Sequence, residues 1–114
     1  MSGGKSPRQK GNRVERFLVQ LLQSFGFAAE RVPLSGSAGG SYLGDISIPL
    51  LNVDRCVEVK ARRHGFQQLY SWLQGRDILI VKQDRAEPLV IIPLKLAAEI
   101  AALAESNHRR KEKL

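Results

Sequence analysis

Asp45, Glu58 and Lys60 are the residues whose types and spacing could do chemistry. Glu58 and Lys60 lie in CVEVKA, residues 56–61, and Asp45 opens the preceding apolar segment, GDISI. In an extended chain side chains alternate, so Cys56, Glu58 and Lys60 share one face while Val57, Val59 and Ala61 share the other. The valine side suits a core. The other side sets a carboxylate and an ammonium one alternate position apart, on a segment whose β-branched content reads as interior. Burying such a pair costs desolvation energy that ion pairing offsets only in part. A fold tolerates that most readily where the pair has chemistry to do. A hairpin would bring the carboxylates of Asp45 and Glu58 together, although the register is not legible in the sequence. Two carboxylates converging at a sheet end form a hard oxygen site suited to Mg²⁺, completed by water and phosphate oxygens. A lysine beside it can hold or deprotonate a water and offset charge developing on phosphate.

The elements that must position these groups follow from periodicity. Val14, Phe17, Leu18, Leu21, Leu22 and Phe25 recur at helical spacing, and Gly26 supplies the stop. Asn12 is a candidate N-cap, with Glu15 three residues on as its capping-box partner. FAAERVP reads as a short strand ended by Pro33, followed by the Gly/Ser-rich loop LSGSAGGSYLG, residues 34–44. A loop of that length inside one domain is usually functional or mobile. DISIPLL and CVEVKA read as strands joined by a turn at Asn52–Asp54, with Pro49 interrupting or ending the first. GFQQLYSWLQG places Phe66, Leu69, Tyr70 and Leu73 at helical spacing and closes at Gly75. DILIVK and PLVIIP read as interior strands. Residues 94–105 form a last helix with Leu96, Ile100 and Leu103 on one side. The expected fold is α/β, in the order α-β-β-β-α-β-β-α, with a mixed central sheet flanked by helices.

Composition sets the class. A chain of 114 residues with 43% hydrophobic and 25% charged residues is expected to form one ordinary globular domain. No apolar run approaches the roughly 20 residues that span a bilayer, and the N-terminal stretch lacks a signal-peptide pattern, so no membrane partner and a cytoplasmic location are expected. The single cysteine excludes an internal disulfide framework and a multi-cysteine zinc site. The formal charge of +7 lies wholly in two segments. Lys5, Arg8, Lys10 and Arg13 carry no accompanying acid; Arg109, Arg110, Lys111 and Lys113 face only Glu112. Residues 1–12 are therefore expected to be a basic flexible arm, 13–105 the domain and 106–114 a basic tail. Such arms suit a polyanion, most simply nucleic-acid phosphate, although solvated basic tails are also common.

GD at 44–45 followed by EVK at 58–60 resembles the PD-(D/E)XK nuclease motif. More closely, GNRVERFLVQLLQSFGFAAERVPLSGS with GDISI and CVEVKAR is similar to the archaeal-type Holliday-junction resolvases and their phage or prophage relatives. The resemblance implies a restriction-endonuclease-like core and a Mg²⁺-dependent endonuclease, with Mn²⁺ as a possible substitute, acting on four-way or other branched DNA as a symmetric dimer. It implies that Asp45, Glu58 and the Val59 carbonyl bind metal, with Glu15 completing the site directly or through water. Lys60 would position or activate the attacking water. Arg31, Ser35 and Ser37 would approach the scissile phosphate. The products would be 5′-phosphate and 3′-hydroxyl ends. Apart from the resemblance, Arg13 in the basic N-terminal segment and Arg62 and Arg63 just past the lysine are candidate DNA contacts by position, although exposed arginines are common. Gly44 departs from the motif's proline, and the region after Arg62 shows no such likeness.

Plainer readings stand beside these. Glu15 could only cap a helix, and Glu58 with Lys60 could be a solvent-facing pair on an edge strand. Cys56 and Tyr70 read as core residues. His64 and His108 lack partners at metal-ligand spacing, and Trp72 falls off the apolar stripe of its helix. Two other functions stay open: the same chemistry on another DNA substrate, or a catalytically silent DNA-binding module of the same fold. Three acids facing phosphate disfavour the silent module, because they would repel DNA without a metal. Deleting residues 1–11 is expected to weaken DNA binding and flatten its salt dependence; an unchanged salt slope would mean the arm touches no phosphate.

Overall fold

The computed structural model describes residues 7–32 and 44–113. Its elements run α1 (Pro7–Ser24), β1 (Glu30–Arg31), β2 (Ile46–Leu50), β3 (Val53–Val57), α2 (Gln67–Leu73), β4 (Leu79–Val81), β5 (Leu89–Ile91) and α3 (Leu94–Lys113). The α/β class and the element order match the sequence expectation. The helices extend further than periodicity indicated: α1 takes in residues 7–12 and α3 takes in 106–113. Asn12 is therefore inside α1 and does not cap it. α1 ends in a Schellman motif, where Gly26 (φ +96°) donates to the Gln23 carbonyl and Phe27 donates to that of Leu22.

Strand pairing among the described residues is antiparallel throughout. β1, β2 and β3 form one sheet in that order, while β4 and β5 form a separate two-stranded sheet instead of extending the first. β2 pairs with β3 from Ile46↔Val57 to Leu50↔Val53, so the hairpin loop is Leu51–Asn52. Both loop residues have positive φ (54° and 65°), the backbone twist that two-residue hairpins favour. The expected turn at 52–54 thus moves one residue towards the N-terminus. Leucine at positive φ is costly, and α3 steadies the loop: Glu105 accepts from the Leu51 amide and Glu112 from the Asn52 side chain. Pro49 faces Asp54 within the ladder, and β2 continues one residue beyond it.

The core gathers Val19 and Leu22 from α1, Phe27 and Ala29 after it, Ile46 and Ile48 from β2, and Ala98 from α3. Ile46 is fully buried. α3 docks through the small side chains of Ala98 and Ala101, which allow close approach, and leaves Ile100 and Leu103 exposed. The side of the helix that carries Leu96, Ile100 and Leu103 is therefore mostly the outer one. Phe17 and Cys56, read as apolar interior positions, are also exposed. The strands read as interior are likewise open, with Ile78, Ile80, Leu89 and Val90 all exposed.

Gly44 enters β2 at φ +80°, and a Cβ there would lie 2.8 Å from the Val57 carbonyl oxygen. Proline, with φ locked near −65°, could not occupy this position. That accounts for the departure from the proline of the nuclease motif. Ile46→Ala is expected to lower unfolding stability by about 2–5 kcal/mol, and Gly44→Ala to lower it through strain and the clash. Denaturant midpoints check both; an unshifted midpoint for Gly44→Ala would remove the close approach.

Candidate active site

Asp45 lies at the common end of three strands, and hydrogen bonds hold it from each side. Its amide donates to the Val57 carbonyl at 2.7 Å, and its carbonyl accepts from the Val32 amide at 3.0 Å. Its carboxylate Oδ2 accepts from the Val59 amide at 2.7 Å. Val57 and Val59 flank Glu58, so these bonds clamp the Asp45 carboxylate beside the residue the sequence paired with it. The valines on the core side of this segment, Val57 and Val59, pack against the core.

The opposite face is open. Lys60 Nζ lies 3.2 Å from Glu58 Oε2, with side chains 58% and 56% exposed. The expectation of a buried acid–base pair is corrected: it is a surface pair whose mutual attraction is worth little. The reason is topological. β3 is the edge of its sheet and ends at Val57, so the strand expected through CVEVKA stops short. Glu58 and Lys60 lie in the chain beyond it, where no neighbouring strand among the described residues covers them.

Glu15 sits differently. Arg31 of β1 reaches α1, with Nη2 2.8 Å from Asn12 Oδ1 and Nε 3.4 Å from Glu15 Oε1. Both members of the Arg31–Glu15 pair are well shielded. Among the described residues no three of His, Cys, Asp and Glu stand together as a metal-binding group. The structure thus brings Asp45 to the Glu58 segment and places Glu15 against Arg31. Arg31 itself is near the Asp45 end of the sheet, facing Ile46 across the ladder. Ser35 and Ser37 lie outside the described residues. Arg13 is exposed on α1, and Arg62 and Arg63 are exposed just beyond Lys60.

Beside Lys60 opens a groove of about 1140 Å³, walled by Val14 and Leu18 of α1, the chain from Val59 to Arg63, and α2. Tyr70, read from the sequence as a core residue, is 75% exposed and lines this groove with Phe66 and Arg76. The spacing that suggested a buried stripe holds for Phe66, Leu69 and Leu73, which are half-buried. In a helix of two turns, only the neighbours decide on which side of the stripe the fourth residue falls. Trp72 is exposed, as its position off the stripe indicated. His64 accompanies Gln67, and His108 pairs with Glu112 on the next turn of α3.

Comparison with known proteins speaks to the family of the chain. Residues 6–104 match the family described as archaeal Holliday junction resolvase (Hjc). The chain is 37% identical over 108 residues to a crossover junction endodeoxyribonuclease Hjc from Sulfolobus acidocaldarius, covering 94% of this chain and 74% of that protein. It is 38% identical over 65 residues to a protein of the same name from Sulfurisphaera tokodaii, covering 57% of this chain and 44% of that protein. No solved structure matches. The match extends past Arg62, where sequence reading alone saw no likeness, and it rests on most of the chain: the protein belongs to the archaeal Holliday junction resolvase family.

Proposed function

We propose that this protein is a Mg²⁺-dependent endonuclease that cuts phosphodiester bonds in four-way or otherwise branched DNA. The observation that carries the reading is the clamp on Asp45, which ties one carboxylate to the Val59 amide between Glu58 and Lys60, an exposed pair whose lysine lines a groove with three arginines. An open face suits a polymeric substrate, which must reach the reacting groups from outside. The donors fit the metal: Asp45, Glu58 and the Val59 carbonyl offer hard oxygens, and Mg²⁺ needs only one or two carboxylates besides water and phosphate. When bound, Mg²⁺ or Mn²⁺ would supply positive charge against the phosphate. Lys60 holds the attacking water in line and offsets charge that grows on the phosphate oxygens. Water adds to phosphorus, the P–O3′ bond breaks, and the leaving oxygen takes a proton, giving 5′-phosphate and 3′-hydroxyl ends. Arg31, steadied by Asn12 and Glu15, supports the phosphate from β1, and Arg62 and Arg63 bind the flanking backbone. Glu15 acts here through Arg31. No described helix is long and apolar enough to cross a membrane, and a DNA substrate suits a cytoplasmic protein.

A four-way junction needs two matched cuts, hence two active sites. By register, Ile78, Ile80, Val90 and Ile92 share one face of the β4–β5 hairpin, and the first three are exposed. An isolated apolar hairpin face is poorly stable in water. A second copy of this chain covers it in the working enzyme.

Cleavage of a synthetic four-way junction beside duplex, nicked and single-stranded DNA tests the chemistry. Symmetric, Mg²⁺-dependent cuts at the junction are expected, abolished by EDTA and reduced at least about 100-fold in Lys60→Ala. Equal cutting of every substrate would remove the junction assignment, and metal-independent binding without cutting would leave a silent DNA-binding module. Sedimentation tests the assembly: Ile80→Glu is expected to turn a dimer into a monomer, and a wild-type monomer at micromolar concentration would overturn it.

A further inference from the structure

The groove beside Lys60 is larger than the roughly 300–1,000 Å³ of small-molecule clefts. Lys60, Arg62, Arg63 and Arg76 line it without any acidic side chain, and two aromatic rings, Phe66 and Tyr70, stand among them. Lys60 belongs to both the groove and the ion pair with Glu58, so the groove begins at the reacting groups. Cations along a channel track a phosphate backbone, and exposed rings between them offer faces on which unpaired bases stack. A tyrosine 75% exposed gains no core packing by being there, and a fully paired duplex presents it no open base face.

We propose that this groove is a single-strand subsite. It receives the nucleotide of the cut strand next to the scissile phosphate after that nucleotide has left the base stack. Tyr70 stacks on its base, while Arg62, Arg63 and Arg76 hold the phosphates on either side. The proposal rests on the nuclease reading and deepens it: the enzyme selects branched DNA because the branch point is where a base unstacks at least cost. Tyr70 is then a specificity residue. It recognises an available base, whatever its identity, and needs no sequence readout.

The test reads binding and not cleavage. A four-way junction carrying 2-aminopurine beside the branch point is titrated with protein in EDTA, with a continuous duplex of equal length alongside. Wild type and Tyr70→Phe are expected to quench the probe. Tyr70→Ala should lose the quench and bind the junction about tenfold more weakly, with duplex affinity unchanged. Arg76→Gln should weaken both and lower the salt slope by about one. Quenching that survives Tyr70→Ala, or parallel losses on junction and duplex, would overturn the stacking role. A Tyr70-dependent signal from a protein that cuts nothing with Mg²⁺ would sink the nuclease reading and sustain the subsite.

Discussion

The clamp on Asp45 is the constraint on which the rest of the site depends. One residue has its amide, carbonyl and carboxylate each committed to a different backbone neighbour: Val57, Val32 and Val59. Those bonds join β1, β2 and the end of β3 at a single point. They also leave a carboxylate with little freedom, because an amide-bonded oxygen cannot swing away with its rotamer. Gly44 makes the arrangement possible, since any side chain there would meet the Val57 carbonyl. Burial of Ile46, the next residue, anchors the clamp in the core. Structure and chemistry therefore meet within three consecutive residues.

Charge is arranged differently on the two sides of that point. Towards α1, Arg31 is shielded and satisfied by Glu15 and Asn12, which fixes its guanidinium at little entropic cost to a later contact. Towards solvent, Glu58 and Lys60 neutralise one another weakly across water. A weak surface pair is easily opened by a competing charge, because little energy holds it closed. A buried pair would have had to be broken against its own desolvation, so the exposed arrangement favours reaction over storage.

The apolar surface of β4–β5 and the outer stripe of α3 form the second half of the molecule's logic. They are as hydrophobic as core elements, yet Ile80 and Leu103 remain about two-thirds exposed. α3 reaches the core through alanines, and its bulkier residues point outward. Such a division leaves apolar surface on the side of the chain away from its own core.

Much of this was legible in the residues themselves. Periodicity gave the order of all eight elements and Gly26 marked the end of α1, because alternation and helical pitch are local properties of the chain. Asp45 and Glu58–Lys60 stood out by residue type and spacing. Likeness to the resolvases was carried by those same residues. Tertiary structure decided what local rules could not. Helical spacing places Tyr70 on a stripe but not inside a core, and β-branched strands around Ile80 report apolar surroundings without saying whether these come from the same chain. Glu15 reads in the sequence as a metal-site residue with helix capping as the plainer alternative, and only the fold shows that β1 brings Arg31 to it. In each case the deciding quantity was which distant segment arrived alongside, and that is a property of the packed chain alone.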